Sequence, residues 1–313
     1  MVSETIFAPT VCVCFDDQFA FHGTMAVLSA AWSLPKEINL RAYIVDTGVK
    51  EETAEMVRRI LEEASVEYTW LAPDLEVLKR LPLPESTWLN HSTFARLLLP
   101  ELLPAEVERF LYLDSDTIVL DDIRKLLTID MEGAIVMACE CGFYSPISKC
   151  ASPDVHRMLG MNDCDKYFNA GILVFDCKAW RDNRTRTKTI DLILQYGSLF
   201  KHADQDALNI TLRGKWKAIE QRWNVTSIFF DRSNGFFPKL TENPAIIHYT
   251  GPNPGTKNCF HPKRSVFYRI VWKSGWFVRA EYWKWILKLE PRIIVAIYCG
   301  PIKRVIKTLI GKF

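Results

Sequence analysis

Phe110-Leu-Tyr-Leu-Asp-Ser-Asp-Thr-Ile-Val119 decides the fold. An apolar run, Phe110 to Leu113, stops abruptly at two carboxylates, Asp114 and Asp116. A short, bounded hydrophobic segment of this kind reads as a buried strand of a parallel sheet. Such sheets bind ligands just beyond the carboxyl ends of their strands. Carboxylates are rarely buried unless they are paired or hold a metal. Two of them at a strand end can offer oxygens to one divalent cation, which can in turn hold a diphosphate. Asp-x-Asp alone is uninformative, because Asp163/Asp165 and Asp204/Asp206 repeat it, but only Asp114/Asp116 directly follows a strand-like run. The plain structural alternative is a solvated turn in which Asp114 or Asp116 caps the segment 121–127.

Working outward toward the N-terminus, residues 10–15 form an apolar strand ending at Asp16-Asp17-Gln18. Residues 21–32 have helical composition, and Pro35 closes them. Residues 40–45 are strand-like and run into Asp46-Thr-Gly48. In 51–64, Ala54, Val57, Ile60, Leu61 and Ala64 recur at helical spacing, and 66–71 follow as a strand. This alternation predicts a doubly wound α/β sheet. Residues 73–89 are punctuated by proline and predict a loop on the site side. Residues 92–99 predict a helix that carries Arg96.

On the C-terminal side, 134–139 predict a strand and 140–165 an irregular excursion rich in Cys, Gly and Pro. Residues 168–175 predict a strand interrupted at Asn169-Ala-Gly171. Helices are expected over 178–196 and 204–212, and a last strand, 245–247, runs into His248-Tyr-Thr-Gly-Pro252. The strand ends at Asp16, Asp114, Asn169 and His248 all carry polar clusters. Several such clusters at one sheet edge describe a polar crevice where a nucleotide would lie.

The totals fit one large α/β domain, or one domain with an appendage. Of the 313 residues, 49% are hydrophobic, enough for a sizeable core and against global disorder. The net charge of +2 is unevenly spread: residues 261–313 carry twelve Lys/Arg against Glu281 and Glu290, or +10, which leaves −8 for residues 1–260. The nine cysteines are irregularly spaced, and no C-x-x-C zinc pattern occurs, so buried, reduced thiols are expected. Residues 1–9 lack a basic stretch followed by an apolar one, and no stretch reaches the roughly 20 apolar residues of a membrane span. The sequons at Asn90, Asn183, Asn209 and Asn224 then read as coincidental, and the expected location is intracellular.

Taken in order, these motifs resemble glycosyltransferase family 8, above all its bacterial members that build lipopolysaccharide and capsule. The matching segments are Asp16-Asp17, Thr93-Phe-Ala-Arg96-Leu, Leu111-Tyr-Leu-Asp-Ser-Asp116 and Tyr167-Phe-Asn-Ala-Gly-Ile-Leu173. Asp204-Gln-Asp206-Ala-Leu-Asn209 and His248-Tyr-Thr-Gly-Pro252 complete them, so the likeness spans about residues 10–255. It implies a GT-A fold: a Rossmann-like, mostly parallel central sheet flanked by helices, with a catalytic domain over 1–260. It also implies a retaining hexosyltransferase that takes glucose or galactose from a UDP-sugar to a saccharide acceptor.

Carried over by position, Asp114, Asp116 and His248 would ligate Mn²⁺, or Mg²⁺; two carboxylates and an imidazole suit Mn²⁺ well. His248 alone would read as a hydrogen-bonded strand-end histidine. Asp16 would meet the uracil or ribose, with Gln18 standing where the family commonly has Asn. Arg96 would neutralise the nucleotide; its plain alternative is a helix-surface salt bridge. Ser115 and Gly251 fall within the donor-binding motifs. Asn169 would touch the sugar and Gly171 admit a close backbone approach, or the two mark a β-bulge. Asp204 would meet the sugar hydroxyls and Gln205 the anomeric carbon, although Asp204 also suits a helix N-cap. The family's diphosphate-gripping Lys normally follows His-Tyr-x-Gly closely and precedes Pro-Trp. Here Lys257 lies further on and Pro-Trp is absent; Lys263 and Arg264 are substitutes.

From Tyr268, aromatics alternate with cations, and 303–312 place Val305, Ile306, Leu309 and Ile310 at helical spacing between basic residues. A basic amphipathic, aromatic-rich helical tail over 261–313 is expected to lie on an anionic membrane surface, holding the enzyme at the inner face of the membrane near a lipid-linked acceptor. Its alternative is a helical cap on the catalytic domain. No RNA- or DNA-binding motif accompanies it, so no nucleic-acid partner is expected. Two other readings stand beside the transferase. A sugar nucleotidyltransferase would show a Gly-rich phosphate loop after Phe15, which is missing, and a nucleotide-sugar binder with a decayed site would lack an intact Asp114/Asp116/His248 set.

Overall fold

The computed structural model describes residues 8–84, 90–231, 233, 237–256 and 259–276. In chain order its strands are β1 (Thr10–Phe15), β2 (Arg41–Asp46), β3 (Glu67–Leu71), β4 (Arg109–Leu113), β5 (Thr117–Val119), β6 (Val136–Glu140), β7 (Phe168–Asp176), β8 (Trp216–Ala218), β9 (Val225–Thr226) and β10 (Ile246–His248). Seven of them form the main sheet in the order β3-β2-β1-β4-β7-β6-β8, with the apolar run before Asp114 at its centre. Every strand of this sheet runs one way except β7, which is antiparallel to both its neighbours. From β1 the chain builds outward through β2 and β3, then returns to place β4 on the other side. That reversal opens a crevice at the carboxyl ends of β1 and β4.

Both faces of the central strands are covered, which is why they read as unbroken apolar runs. Val11, Val13, Phe15, Leu111 and Leu113 join one core; Cys12, Cys14, Phe110 and Tyr112 join the other. Phe110 stacks on Phe175 across the β4–β7 pair, with ring centroids 4.8 Å apart. The helix Ala20–Trp32 is buried at every position from Ala20 to Ala30, since its small residues let it lie close on the sheet.

Several expectations are corrected. The predicted helix over 92–99 is a 3₁₀ turn, His91–Leu98, followed by the short helix Leu99–Leu102. Pro100 has no N–H for the Arg96 carbonyl, which takes the Leu99 N–H instead, an i+3 bond. The single helix over 178–196 is two, Cys177–Asp182 and Thr185–Tyr196, parted where Arg184 adopts left-handed φ, +50°. The loop over 73–89 includes a short helix, Glu76–Lys79. Asp122, rather than Asp114 or Asp116, hydrogen-bonds the Arg124 N–H at the start of the helix Arg124–Leu127.

The expected interruption of β7 proves to be a bulge within a continuous strand. Ala138 faces Leu173 while Glu140 faces Phe168, so five steps along β7 match two along β6. Phe168 and Ala170 therefore share a core with Leu173 and Phe175, reversing the alternation around Gly171.

The helix Arg264–Lys273 packs on the helix Ala20–Trp32, with Phe267, Val271 and Trp276 buried in the same core. Residues 277–313, which hold most of the expected membrane tail, lie outside the described residues, as does Lys257. No helix among the described residues is long and apolar enough to cross a membrane. The described cysteines are all free thiols. Asn209 and Asn224, two of the sequon residues, are fully buried.

Candidate active site

Chain reversal brings the site together. After Asp114-Ser-Asp116 the chain enters β5, which leaves the main sheet and pairs antiparallel with β10. Thr117 stands opposite His248 in that register, and the Tyr249 N–H donates to the Asp116 carbonyl at 2.9 Å. The imidazole is thereby delivered to the two carboxylates. Asp114, Asp116 and His248 each offer one ligand atom, all within 4.8 Å of one another.

The donors of this set can be assigned from one backbone group. The Gly171 N–H can only donate, and it meets Asn169 Oδ1 at 3.0 Å. That oxygen also accepts from Asn224 Nδ2 at 2.7 Å, which turns Asn224 Oδ1 to His248 Nδ1 at 3.0 Å. The imidazole proton therefore sits on Nδ1. Nε2, 3.2 Å from Asp116 and 3.7 Å from Asp114, carries the lone pair toward the carboxylates. A neutral imidazole facing two carboxylates is a donor set that can hold a divalent cation, with its outer nitrogen fixed by an amide. The residues fit Mn²⁺ or Mg²⁺. Without a cation, burial opposes a charge on His248, but Asp116 and then Asp114 override it and raise its pKa.

Arg96 is no surface cation. It is buried, its Nη2 lies 3.1 Å from Asp114 and its Nε 3.0 Å from Asp204, and Nη1 donates to the Ala170 carbonyl at 2.5 Å. The guanidinium also stacks over the Tyr112 ring, 4.7 Å from its centroid. Burial works against its charge, and Asp114 and Asp204 outweigh that and hold it ionised. Burial pushes Asp204 up to about 6, with Arg96 pulling the other way, so both remain charged at neutral pH. Ala203, not Asp204, occupies the N-cap of the helix Asp204–Thr211, which corrects the capping alternative. The Asp204 carboxylate instead accepts from Thr93 Oγ1 at 2.8 Å.

Asn209, from the same helix, accepts the Phe168 N–H and donates to the Phe168 carbonyl, pinning the helix to the start of β7. Gln205 is thereby set beside the bulge. Its Oε1 accepts from Asn169 Nδ2 at 3.1 Å and from the Ala170 N–H at 3.0 Å.

The other expected donor-binding residues are spread along the crevice. Asp16 sits at the end of β1, accepting from the N–H groups of Gln18 and Phe19 and from Asn90 Nδ2. Gln18 itself is exposed. Asp17 turns to Lys50, away from Asp16. Ser115 is buried and donates to the Cys14 carbonyl, tying the Asp114-Ser-Asp116 turn to β1. Gly251 takes φ +105° in the exposed turn after β10. Cys141, near Gln205, is pushed up to about 12 by burial, so it is no thiolate nucleophile.

Asn224 carries no sequence signal of its own, since it lies in a sequon outside any apolar run. Thr93 opens the matched segment Thr93-Phe-Ala-Arg96-Leu, but nothing in its composition assigns it a role. Tyr112, whose hydroxyl donates to Asp114 at 2.6 Å, could be singled out only as a strand residue with a polar end.

A family model described as "Glycosyl transferase family 8" matches residues 10–254. The chain belongs to this family. It is a glycosyltransferase, and the mixed sheet with flanking helices is a GT-A fold. Similar proteins include general stress protein A of Bacillus subtilis, 27% identical over 84% of this chain and 93% of that one. The lipopolysaccharide 1,2-glucosyltransferase of Escherichia coli is 26% identical over 77% of this chain and 71% of its own length. The fold is also that of the galactosyltransferase LgtC, solved with donor and acceptor sugar analogs. That structure has a TM-score of 0.72 at 24% identity, covering 84% of this chain and 95% of LgtC.

Proposed function

We propose that this glycosyltransferase moves glucose or galactose from a UDP-sugar to a saccharide acceptor, with a divalent cation held by Asp114, Asp116 and His248. The observation that carries the proposal is the His248 tautomer: Asn224 takes the Nδ1 proton and leaves a lone pair aimed at two carboxylates. When bound, the cation neutralises charge that develops on the departing diphosphate. Asp16 and Gln18 stand at the nucleoside end of the crevice. Asn169 and Gln205 stand at the sugar end, beside the metal set. Arg96 holds Asp114 and Asp204 in place through its fork, and Asp204 offers its carboxylate to sugar hydroxyls. In the reaction the bond from the anomeric carbon to the diphosphate oxygen breaks and one to the acceptor oxygen forms. The acceptor proton passes to the departing phosphate, and the sugar keeps its configuration. Lys257, Lys263 or Arg264 supplies a further cation to the diphosphate.

The role in surface polysaccharide synthesis draws on the relatives, which include a lipopolysaccharide glucosyltransferase. Attachment to the inner face of a membrane through the basic C-terminal region is part of the same proposal. Trp272, 58% exposed, lies on the helix Arg264–Lys273 with Arg269 and Lys273 where it leads into that region, and Phe260, 80% exposed, precedes the helix.

The test is UDP release from a panel of UDP-sugars with Mn²⁺, with EDTA and with Asp116→Ala. Slow hydrolysis of one donor, lost with EDTA and with the substitution, is the expected result and names the sugar. No release and no metal-dependent UDP binding would overturn the proposal; UDP binding without release would indicate a non-catalytic binder or a strict need for acceptor, which added lipid-linked saccharide separates.

A further inference from the structure

Behind Gln205 lies a chain of buried polar groups that neither the metal set nor Arg96 uses. The Ala170 N–H can only donate, so the Gln205 amide atom 3.0 Å from it is the oxygen. Nε2 is therefore the end that faces Tyr167, to whose hydroxyl it donates at 3.0 Å. The Tyr167 oxygen, accepting from Gln205, sends its own proton to Asp206 Oδ1 at 2.6 Å. Asp206 is fully buried, and its other oxygen accepts the N–H groups of Lys201 and His202. His156 stands at the far end with Nε2 3.3 Å from Asp206 Oδ1, while its Nδ1 donates to the Ser152 carbonyl at 2.7 Å. Tyr167 and His156 are as fully buried as Asp206, whereas Gln205 is partly open to the crevice.

A buried carboxylate, a tyrosine and a histidine are a costly group to assemble merely to fill a core, since any unmet partner is penalised heavily. The hydrogen bonds from Gln205 to Tyr167 and from Tyr167 to Asp206 form a directed series beginning at one amide, and His156 stands beside Asp206 as a charge partner. An amide side chain with three free torsions is a poor partner for a sugar unless something fixes which end it presents. The acceptors on one side, Tyr167 and behind it Asp206, hold the NH₂ end; Asn169 and Ala170 hold the oxygen end.

We infer that Tyr167 and Asp206 are positioning residues that fix the orientation of the Gln205 amide at the sugar, with His156 holding the Asp206 carboxylate in place. This rests on the transferase reading of the site. Turned over, the amide would set its NH₂ against the Ala170 N–H and its oxygen against whatever now meets the nitrogen. Asp206 demands the Tyr167 proton, and that demand makes the flipped state unfavourable.

Steady-state donor hydrolysis with Tyr167→Phe, alone and with Gln205→Ala, tests the inference. Tyr167→Phe removes only a hydroxyl and should lower kcat about tenfold, the size of one lost hydrogen bond in a buried network, with KM for the donor and Mn²⁺-dependent UDP affinity unchanged. In the Gln205→Ala background the same substitution should change kcat less than twofold, because its target is gone. Asp206→Asn, which keeps the volume and removes the charge that takes the Tyr167 proton, should follow the same pattern. An equal factor in both backgrounds would mean a structural effect and overturn the inference, as would an unchanged kcat for both variants. A wild-type chain that neither releases UDP from any donor nor binds UDP in a metal-dependent way overturns the transferase reading as well, so the two failures are distinct.

Discussion

Gly171 stands so close to His248 that a Cβ there would lie 3.0 Å from Nδ1, as well as 2.6 Å from Oδ2 of Asp114. Real side chains do not tolerate such distances, and the strand backbone on which Gly171 sits cannot retreat. Gly171→Ala should therefore push apart two of the proposed metal ligands, Asp114 and His248. The expected outcome is a loss of Mn²⁺ affinity of about a hundredfold, measured by calorimetry, with far-UV circular dichroism unchanged.

Asn224 is the next test, because it decides which His248 nitrogen carries the proton. Asn224→Ala frees the imidazole to change tautomer and leaves Asn169 Oδ1 with one donor fewer. Metal affinity should fall roughly tenfold, the usual cost of removing a group that orients a ligand. Activity at saturating Mn²⁺ should recover in part.

The Arg96–Asp204 pair is buried on both sides, with side chains 7% and 3% exposed. Asp204→Asn removes one charge and leaves the guanidinium to Asp114 and to the oxygens of Ala170 and Thr93. Breaking a buried pair on one side costs roughly 3 kcal/mol, so the urea midpoint should fall clearly even if the sheet is intact. Arg96→Lys should not spare stability, since an ammonium cannot bridge Asp114, Asp204 and a carbonyl as the fork does.

His156 and Asp206 give a pH dependence with a defined sign. Burial opposes the charge on His156, but Asp206 overrides it, so its pKa is raised above 6.5. That contribution to stability is complete below 6.5 and is lost as pH rises through the raised value. Burial raises Asp206, yet His156 and Tyr167 outweigh it and hold its pKa below 3.8. Its contribution is present above 3.8 and is lost as pH falls through the lowered value. The difference in unfolding free energy between wild type and His156→Gln should therefore be greatest between pH 3.8 and 6.5 and shrink on the alkaline side. A difference that stays flat up to pH 9 would argue against an ion pair.

What the sequence made legible followed from the strength of its periodicity. The strands at 10–15, 41–46 and 67–71 and the helix Glu51–Glu63 lie within a residue or two of expectation, because continuous apolar runs and a 3.6-residue repeat are long-range signals. β8 and β9, three and two residues long, left no such trace, and neither did β5. The small sheet that carries His248 to Asp116 was thus invisible although both residues were named. The order of motifs put Asp114, Asp116, His248, Asn169 and Gln205 at one edge, and the structure brings their atoms together there. The division of the 178–196 helix was hidden for a different reason. A left-handed Arg184 is a local backbone choice that composition does not announce.

The pairing of β10 with β5 also sets a timetable. Asp114 and Asp116 leave the ribosome more than a hundred residues before His248. Until β10 is made and docks antiparallel on β5, Asp114 has Arg96 beside it but neither carboxylate has the imidazole. A nascent or truncated chain that has already built β1 to β4 therefore has much of its crevice and an incomplete ligand set. The proposed metal site is therefore complete only after β10 has paired with β5.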